Sequence, residues 1–465
     1  MNLKPYPKYK DSGIEWLGEV PEEWEVKRLK YVAHVEMGQS PNSDFYNKDG
    51  NGVPFLQGNA DFKEIYPEPQ VWTTEGNKYS QKNDVLISVK APVGEINISD
   101  NRYAIGRGLT ALRFSEKSCF KYYYYLFAAA KNYFDSISTG TTYTAISTDD
   151  VKNISVAVPL LKKQIQIAIF LDQKTVKIDE LLKKNETIVE LLKEKRQASI
   201  SHAVTKGIPP HPNPIPRGER ELLHFPPPLM GGGEGEGVKR DLKMKDSGIE
   251  WIGEIPEEWG VKRLKYVSVV NPEALSESTP LDFEIKYVDI SNVNEEGLIN
   301  NPELISFSDA PSRARRIIRQ NDVIISTVRT YLKAIAYLSN PESNFIVSTG
   351  FAVLRATKTI LPKFLYYFIR SNFFVDSIMA NSVGVSYPAI NSSVLAGLPV
   401  LLPCKNEQTT IADYLDIETK KIDKAINKTQ FQIQKLKEYR QALISNVVTG
   451  KVRVYDCNLQ GKRIK

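Results

Sequence analysis

The chain has 465 residues, 42% hydrophobic and 25% charged, long and apolar enough for two or three cores and too apolar for wholesale disorder. Three cysteines (Cys119, Cys404, Cys457) and four histidines lie far apart without metal-ligand spacing, which excludes a disulfide scaffold, argues against structural zinc and points to a reducing compartment. The start, MNLKPYPKYKDSGIEW, lacks the apolar stretch of a signal peptide, and charges interrupt every apolar run before about 18 residues, so a cytoplasmic protein with no membrane contact is expected.

Net charge is +6, and its distribution matters more than its size. Residues 1–160 carry 18 Lys and Arg against 20 Asp and Glu, and residues 245–403 carry 15 against 17, so each block is −2. Any binding of a polyanion by these blocks must use local patches.

In chain order, residues 1–160 read as a first α+β domain. Short β-branched runs at Asp84–Val89 and Leu109–Phe114 predict strands, and aromatic spacing predicts a helix over Phe120–Asp135. A long helix is expected within 161–206. Residues 207–244 hold 8 Pro and 7 Gly and read as a flexible linker insert. Residues 245–403 then read as a second α+β domain, with strands at Asp322–Val328 and Phe351–Leu354 and a helix over Pro362–Ile378. A second long helix falls within 404–450, followed by a basic tail, 451–465.

The two halves are a duplication. Lys10–Val32 and Lys245–Val267 agree at 20 of 23 positions, and Lys193-Glu-Lys-Arg-Gln-Ala is answered by Lys437-Glu-Tyr-Arg-Gln-Ala. A period near 240 residues is too long for a solenoid. In the helices, steps of four and three pick out Ile178, Leu182, Asn185, Val189 and Leu192 in the first and Ile422, Ile426, Thr429, Ile433 and Leu436 in the second. Both seams carry a polar residue at the same register, as expected of helices packing on each other as an antiparallel coiled coil with pseudo-twofold symmetry. Two separate amphipathic helices, each lying on its own domain, would show a wider apolar stripe.

No phosphate-binding loop, cofactor-binding glycine turn, methyltransferase motif or nucleophile with a convergent histidine is present. What remains are polar loops at matching places in the two copies. The first copy offers Gln57, Asn59, Lys90, Arg102, Arg107, Thr139, Thr141, Thr142 and Tyr143; the second offers Tyr287, Arg313, Arg315, Arg329, Lys333, Ser386 and Tyr387. Arg and Lys suit guanine edges, Asn and Gln suit adenine edges, and hydroxyls suit phosphates. The frame repeats while these loops differ, so the copies are expected to read two different half-sites. Trp16, Trp24, Trp251 and Trp259 belong to the repeated frame and read as packing anchors.

The segments DSGIEWLGEVPEEWEVKRLKYV and its copy, GVPFLQGNADF, NDVLISVKAPVGEINI, IGRGLTALRF, and the helix ends KRQASISHAVTKG and YRQALISNVVTGK together resemble the specificity subunit of type I restriction-modification systems, over essentially the whole chain except 207–244. The resemblance implies two target recognition domains held apart by paired helices, each reading half of a split site on double-stranded DNA. It implies two methyltransferase subunits and restriction subunits as partners. Those partners would hold S-adenosylmethionine, ATP and Mg²⁺, so that this chain binds no cofactor or metal and has no catalytic residue of its own. It also favours Lys90, Arg102, Arg107, Thr139–Tyr143, Val383–Tyr387, Arg315 and Arg329 for DNA contact. The insert at the central joint departs from the family pattern. A stand-alone DNA modification enzyme and a coiled-coil scaffold that binds no DNA are the competing readings.

Overall fold

The computed structural model describes residues 4–138, 145–208, 243–384 and 387–454. The chain forms two compact units, one of residues 1–186 with 430–465 and the other of residues 187–429. Each unit therefore combines one globular domain with part of each long helix. The helices run Leu161–Lys206 and Lys405–Val448, close to their expected bounds.

Each globular domain is built around two larger sheets on one plan, with two two-stranded sheets beside them. In the first unit a four-stranded antiparallel sheet has the order Ile96–Ile98, Val85–Ser88, Leu109–Phe114, Ala33–Met37. A second sheet has the order Tyr46–Asn47, Val71–Thr73, Val53–Leu56, Tyr103–Ile105, Tyr79–Ser80, with one parallel pairing between Val53–Leu56 and Tyr103–Ile105. Among the described residues the second unit repeats the first order, and the second order without a counterpart of Tyr46–Asn47. Ile335–Tyr337, Val323–Ser326, Phe351–Ala356 and Ser268–Val270 form one sheet. Glu303–Ser306, Glu284–Val288, Phe345–Ser348 and Ala314–Ile317 form the other, with Glu284–Val288 and Phe345–Ser348 parallel. The duplication thus extends through strands whose sequences no longer match.

The expected helix over 120–135 is two helices, Phe120–Ala129 and Lys131–Ile137, and that over 362–378 is Pro362–Ile369 and Asn372–Ala380. Aromatic spacing continues across both breaks, which hides them in the sequence. In the second copy Ser371 caps the new helix by accepting from the Phe374 N–H, a signal of the ordinary kind.

Buried polar residues fasten each domain to its long helix, and they recur in both units. The Gln164 side chain accepts from Cys119 N at 2.9 Å and donates to Pro159 O at 2.8 Å; Gln408 does the same with Leu361 N and Pro403 O at 2.7 and 2.9 Å. About two turns further, Asp172 accepts from Tyr125 Oη at 2.8 Å and pairs with Lys121, while Asp416 accepts from Tyr367 Oη at 2.7 Å and pairs with Lys363. Burial pushes both phenols far above their usual range, so they remain donors.

All ten seam residues are buried or half-buried, whereas Leu181, Ile188, Leu191 and Phe431 beside them are exposed. Within the first unit Ile178 and Leu182 share a core with Leu436, Leu443 and Val447. There Asp179 accepts from Arg440 Nε at 2.8 Å and Glu186 lies 3.9 Å from Lys437. One number rises as the other falls, so the two segments are antiparallel. Within the second unit Arg196 pairs with Asp423 at 2.9 Å, and Ile200 and Val204 share a core with Leu415 and Ile411. Arg196–Asp423 and Asp179–Arg440 are the same pair written twice, 244 positions apart, once within each unit.

After Val448 the chain turns at Gly450, whose φ of +79° suits glycine and where a Cβ would lie 2.3 Å from the Pro21 ring. Arg453 N then donates to Lys4 O at 2.9 Å. Trp24 and Trp259 are buried anchors, as expected. Trp16 is half-buried and stacks on Tyr133, but Trp251 is 62% exposed. The anchor reading is therefore corrected for Trp251, because the second copy places no tyrosine opposite it: Phe374, aligned with Tyr133, is fully buried.

Asp416→Ala removes the acceptor of a buried hydroxyl and a lysine together, and is expected to cost about 2–3 kcal/mol in urea titration. Arg440→Ala breaks an exposed pair and should cost about 1 kcal/mol or less in the same measurement.

Candidate nucleic-acid interface

Short backbone hydrogen bonds gather the polar loops of each domain at one rim. In the first copy Gly106 N donates to Leu56 O, Val89 N to Gly108 O, and Ile146 N to Val89 O, at 2.8–2.9 Å. Lys90 is bridged to Ala145. Arg107 N donates to Ser40 Oγ at 3.3 Å. Loops 38–40, 57–61, 89–90 and 106–108 are thereby brought side by side. Close approach requires glycine here: a Cβ on Gly38 would lie 2.2 Å from Gly106 O.

The second copy ties its rim in the same way. Thr327 N donates to Gly350 O and Ile390 N to Thr327 O, both at 2.8 Å, matching Val89, Gly108 and Ile146. Arg329 N donates to Pro388 O, and Thr349 N donates to Arg313 O. In both copies a short 3-10 turn follows the parallel strand: Asn59–Asp61 in one, Ile290–Asn292 in the other. It is held by a side chain three or four residues ahead, Asp61 accepting from Gln57 N and Asn292 from Asp289 N.

Gln57, Asn59, Lys90 and Arg107 lie on the first rim, and Gln57, Lys90 and Arg107 are exposed. On the second rim Arg329 adopts φ +51° and stacks 4.7 Å from the ring centre of Tyr387, itself 61% exposed. Arg313 is exposed and held from both sides, with Asp289 Oδ2 at 2.6 Å and Tyr287 Oη at 3.0 Å. Arg315 occupies a β-bulge between Ala314 and Arg316 and lies over the Phe307 ring at 4.7 Å, a device that re-aims a side chain. Lys333, at φ +49°, lies 3.7 Å from Glu295.

Two expectations are corrected. Tyr287 is 4% exposed and belongs to a core cluster; alternation along the Glu284–Val288 strand turns its ring inward, so it positions Arg313. Arg102 precedes the Tyr103–Ile105 strand and stacks on Tyr79 at 4.1 Å, at the opposite end of that strand from Gly106. Thr139, Thr141, Thr142, Tyr143 and Ser386 lie outside the described residues. Ser40 and Asp289, which help organise the rims, fall in the polar loops 38–42 and 287–292 that the sequence offers as candidates, without being singled out there, and the turn chemistry of Asp289-Ile-Ser-Asn292 is the signal for Asp289; Thr327, within a predicted strand, was missed. Among the described residues no group of three His, Cys, Asp or Glu side chains could hold a metal, and no helix is long and apolar enough to cross a membrane.

Comparison with known proteins bears on the family and the fold. The family model for the type I restriction-modification DNA specificity domain matches twice, over residues 21–191 and 256–434. The chain belongs to that family. The MjaX specificity subunit of a type I restriction enzyme of Methanocaldococcus jannaschii is 38% identical over 186 residues, covering 38% of this chain and 43% of that subunit. The MjaIX specificity subunit of the same organism is 22% identical over 452 residues, 94% of this chain and 95% of the relative. The match thus spans less than half of the first relative and nearly all of the second. A solved chain from a study of complex assembly and conformational transition in a type I system covers 93% of this chain and 99% of itself, with a TM-score of 0.66 at 16% identity, which fixes the fold.

Gly38→Ala forces its new methyl onto the Gly106 carbonyl and is expected to lower the thermal midpoint by several degrees, equivalent to about 1–3 kcal/mol. Gly397→Ala, where a Cβ meets nothing within 4 Å, should leave the midpoint unchanged or slightly raised.

Proposed function

We propose that this chain is the DNA-specificity subunit of a type I restriction-modification complex, reading a bipartite sequence with one rim per half-site. The observation that carries this reading is the pairing of one repeated scaffold with two unlike rims. Loops tied by the same backbone hydrogen bonds present Gln57, Asn59, Lys90 and Arg107 in one copy and Arg313, Arg329 and Tyr387 in the other. Guanidinium, ammonium and carboxamide groups recognise base edges, so unlike rims select unlike words. In this reading adenine methylation and cleavage belong to two methyltransferase subunits and to restriction subunits, which carry S-adenosylmethionine, Mg²⁺ and ATP. This chain supplies the address.

The helices bear on the unread gap between half-sites. At about 1.5 Å per residue, 46 and 44 residues correspond to about 69 and 66 Å. Half-sites on one face of a duplex lie about 34 Å, or one turn, apart.

Mapping methylated adenines in a host that carries this chain and a methyltransferase partner tests the reading directly: a split motif is expected, and methylation independent of this chain would refute it. Arg329→Ala should relax preference at one position of one half-site, at a cost of about 1–3 kcal/mol, and leave the other half-site as it was. Removing one heptad from both helices should shorten the preferred gap, and an unaltered gap would count against a helical ruler.

A further inference from the structure

The most faithfully repeated segment of the chain contains exposed residues as well as core. Within Lys27-Arg-Leu-Lys-Tyr31 and Lys262-Arg-Leu-Lys-Tyr266, the leucines Leu29 and Leu264 are fully buried while all the other side chains are exposed. Tyr31 is 73% exposed and Tyr266 62%. Packing explains why Leu29 and Leu264 are alike. It does not explain why eight exposed side chains match in two domains whose rims diverged.

The backbone presents them identically. Glu25–Arg28 pairs with Ser155–Val158, and Gly260–Arg263 with Pro399–Leu402. Leu29 N donates to Ile154 O and Leu264 N to Leu398 O, both at 2.8 Å. In each copy the lysine ammonium lies over the adjoining tyrosine ring, 5.4 Å for Lys30 and 5.1 Å for Lys265. In the first copy Lys30 and Tyr31 border an open groove of about 700 Å³ whose walls also carry His34, Arg113 and Lys152. Lys30 and Lys152 form no ion pair among the described residues. The copies differ at one neighbour: Glu25 pairs with Lys27, where the second copy has Gly260.

We propose that this repeated Lys-Arg-Lys-Tyr patch grips the phosphate backbone of the duplex without regard to sequence, once in each unit. The proposal rests on the DNA-specificity reading above. Bases differ between half-sites, and so do the rims; phosphates are the same everywhere, and so is the patch. Lys, Arg and Tyr are phosphate-binding groups that fix register and carry no sequence information. The position agrees. The Ala33–Met37 strand leads from the patch to Gly38 at the rim, a span of about 16 Å at about 3.3 Å per residue. That is comparable with the roughly 12 Å width of the major groove, so a rim seated in the groove leaves the patch beside flanking phosphates.

The test uses the chain assembled with its methyltransferase subunits, and compares the cognate duplex with a scrambled one across a salt series. The variant carries Arg28→Ala, Lys30→Ala and Tyr31→Ala with Arg263→Ala, Lys265→Ala and Tyr266→Ala. Affinity for both duplexes should fall by a similar factor, about tenfold or more, with the ratio between them preserved and the log–log salt slope shallower by about 3 to 4 for four lost phosphate contacts. Lys30→Arg with Lys265→Arg should restore the slope, which separates loss of charge from misfolding. If the assembled wild type prefers its cognate duplex but the alanine variant keeps its affinity and slope, the patch proposal is overturned and the specificity reading stands. Loss of preference for one half-site alone would make the patch a base reader, and loss of the methyltransferase subunits with unchanged DNA binding would make it a protein-docking surface; either refutes the proposal. A wild-type complex without sequence preference would instead refute the reading on which the proposal rests.

Discussion

The structure depends on how each globular domain is fastened to the start of its long helix. Gln164 and Gln408 sit inside that joint with no route to water, each spanning a backbone N–H on one side and a carbonyl on the other. A buried amide that lost either partner would carry a desolvation cost of about 1–3 kcal/mol, so the joint has one satisfied geometry. Asp172 and Asp416, with their tyrosine and lysine partners, fix the rotation of the helix about two turns further along. The helix direction is thereby set by the domain, and the rim inherits a defined orientation relative to its own helix.

Electrostatics at the rims follow local arrangement, since neither domain is basic as a whole. Arg313 is pinned by Asp289 and Tyr287, and Arg329 is stacked on Tyr387. Each keeps donors free on a guanidinium whose rotamer is already restricted, which lowers the ordering cost of any contact it makes. The first rim is arranged differently. Its loops are drawn together by glycine contacts at Gly38 and Gly106, and its cations, Lys90 and Arg107, are exposed. One scaffold thus supports both a braced and a backbone-dominated surface.

Much of this was legible in the residues themselves. The repeat at 235 and 244 positions, the limits of both long helices and the buried face of each followed from periodicity, because a helix seam imposes its spacing on every turn. The strand at Leu109–Phe114 was recovered to the residue. Other features were hidden for identifiable reasons. Breaks at Ala130 and Arg370 leave the aromatic spacing intact. Tyr287 looked like a loop residue because its strand is bounded by polar turns, although alternation buries it. Gln164, Asp172 and their equivalents repeat between the copies, yet polar residues on a helix read as solvated until the domain packed over them is known. The rims themselves are assembled by hydrogen bonds between residues about 20 to 70 positions apart, a separation at which sequence patterns say nothing about proximity.

The link between Arg453 and Lys4 bears on how the molecule is made. The core of the first unit includes Leu443, Ile444, Val447 and Val448, which leave the ribosome some 280 residues after the last strand of that domain. The opening domain therefore waits, with part of its apolar surface uncovered, while the second unit is synthesised with most of its own core in uninterrupted sequence. Such distant closure is slow and leaves a nascent chain open to mispairing. The domain that begins first is completed last.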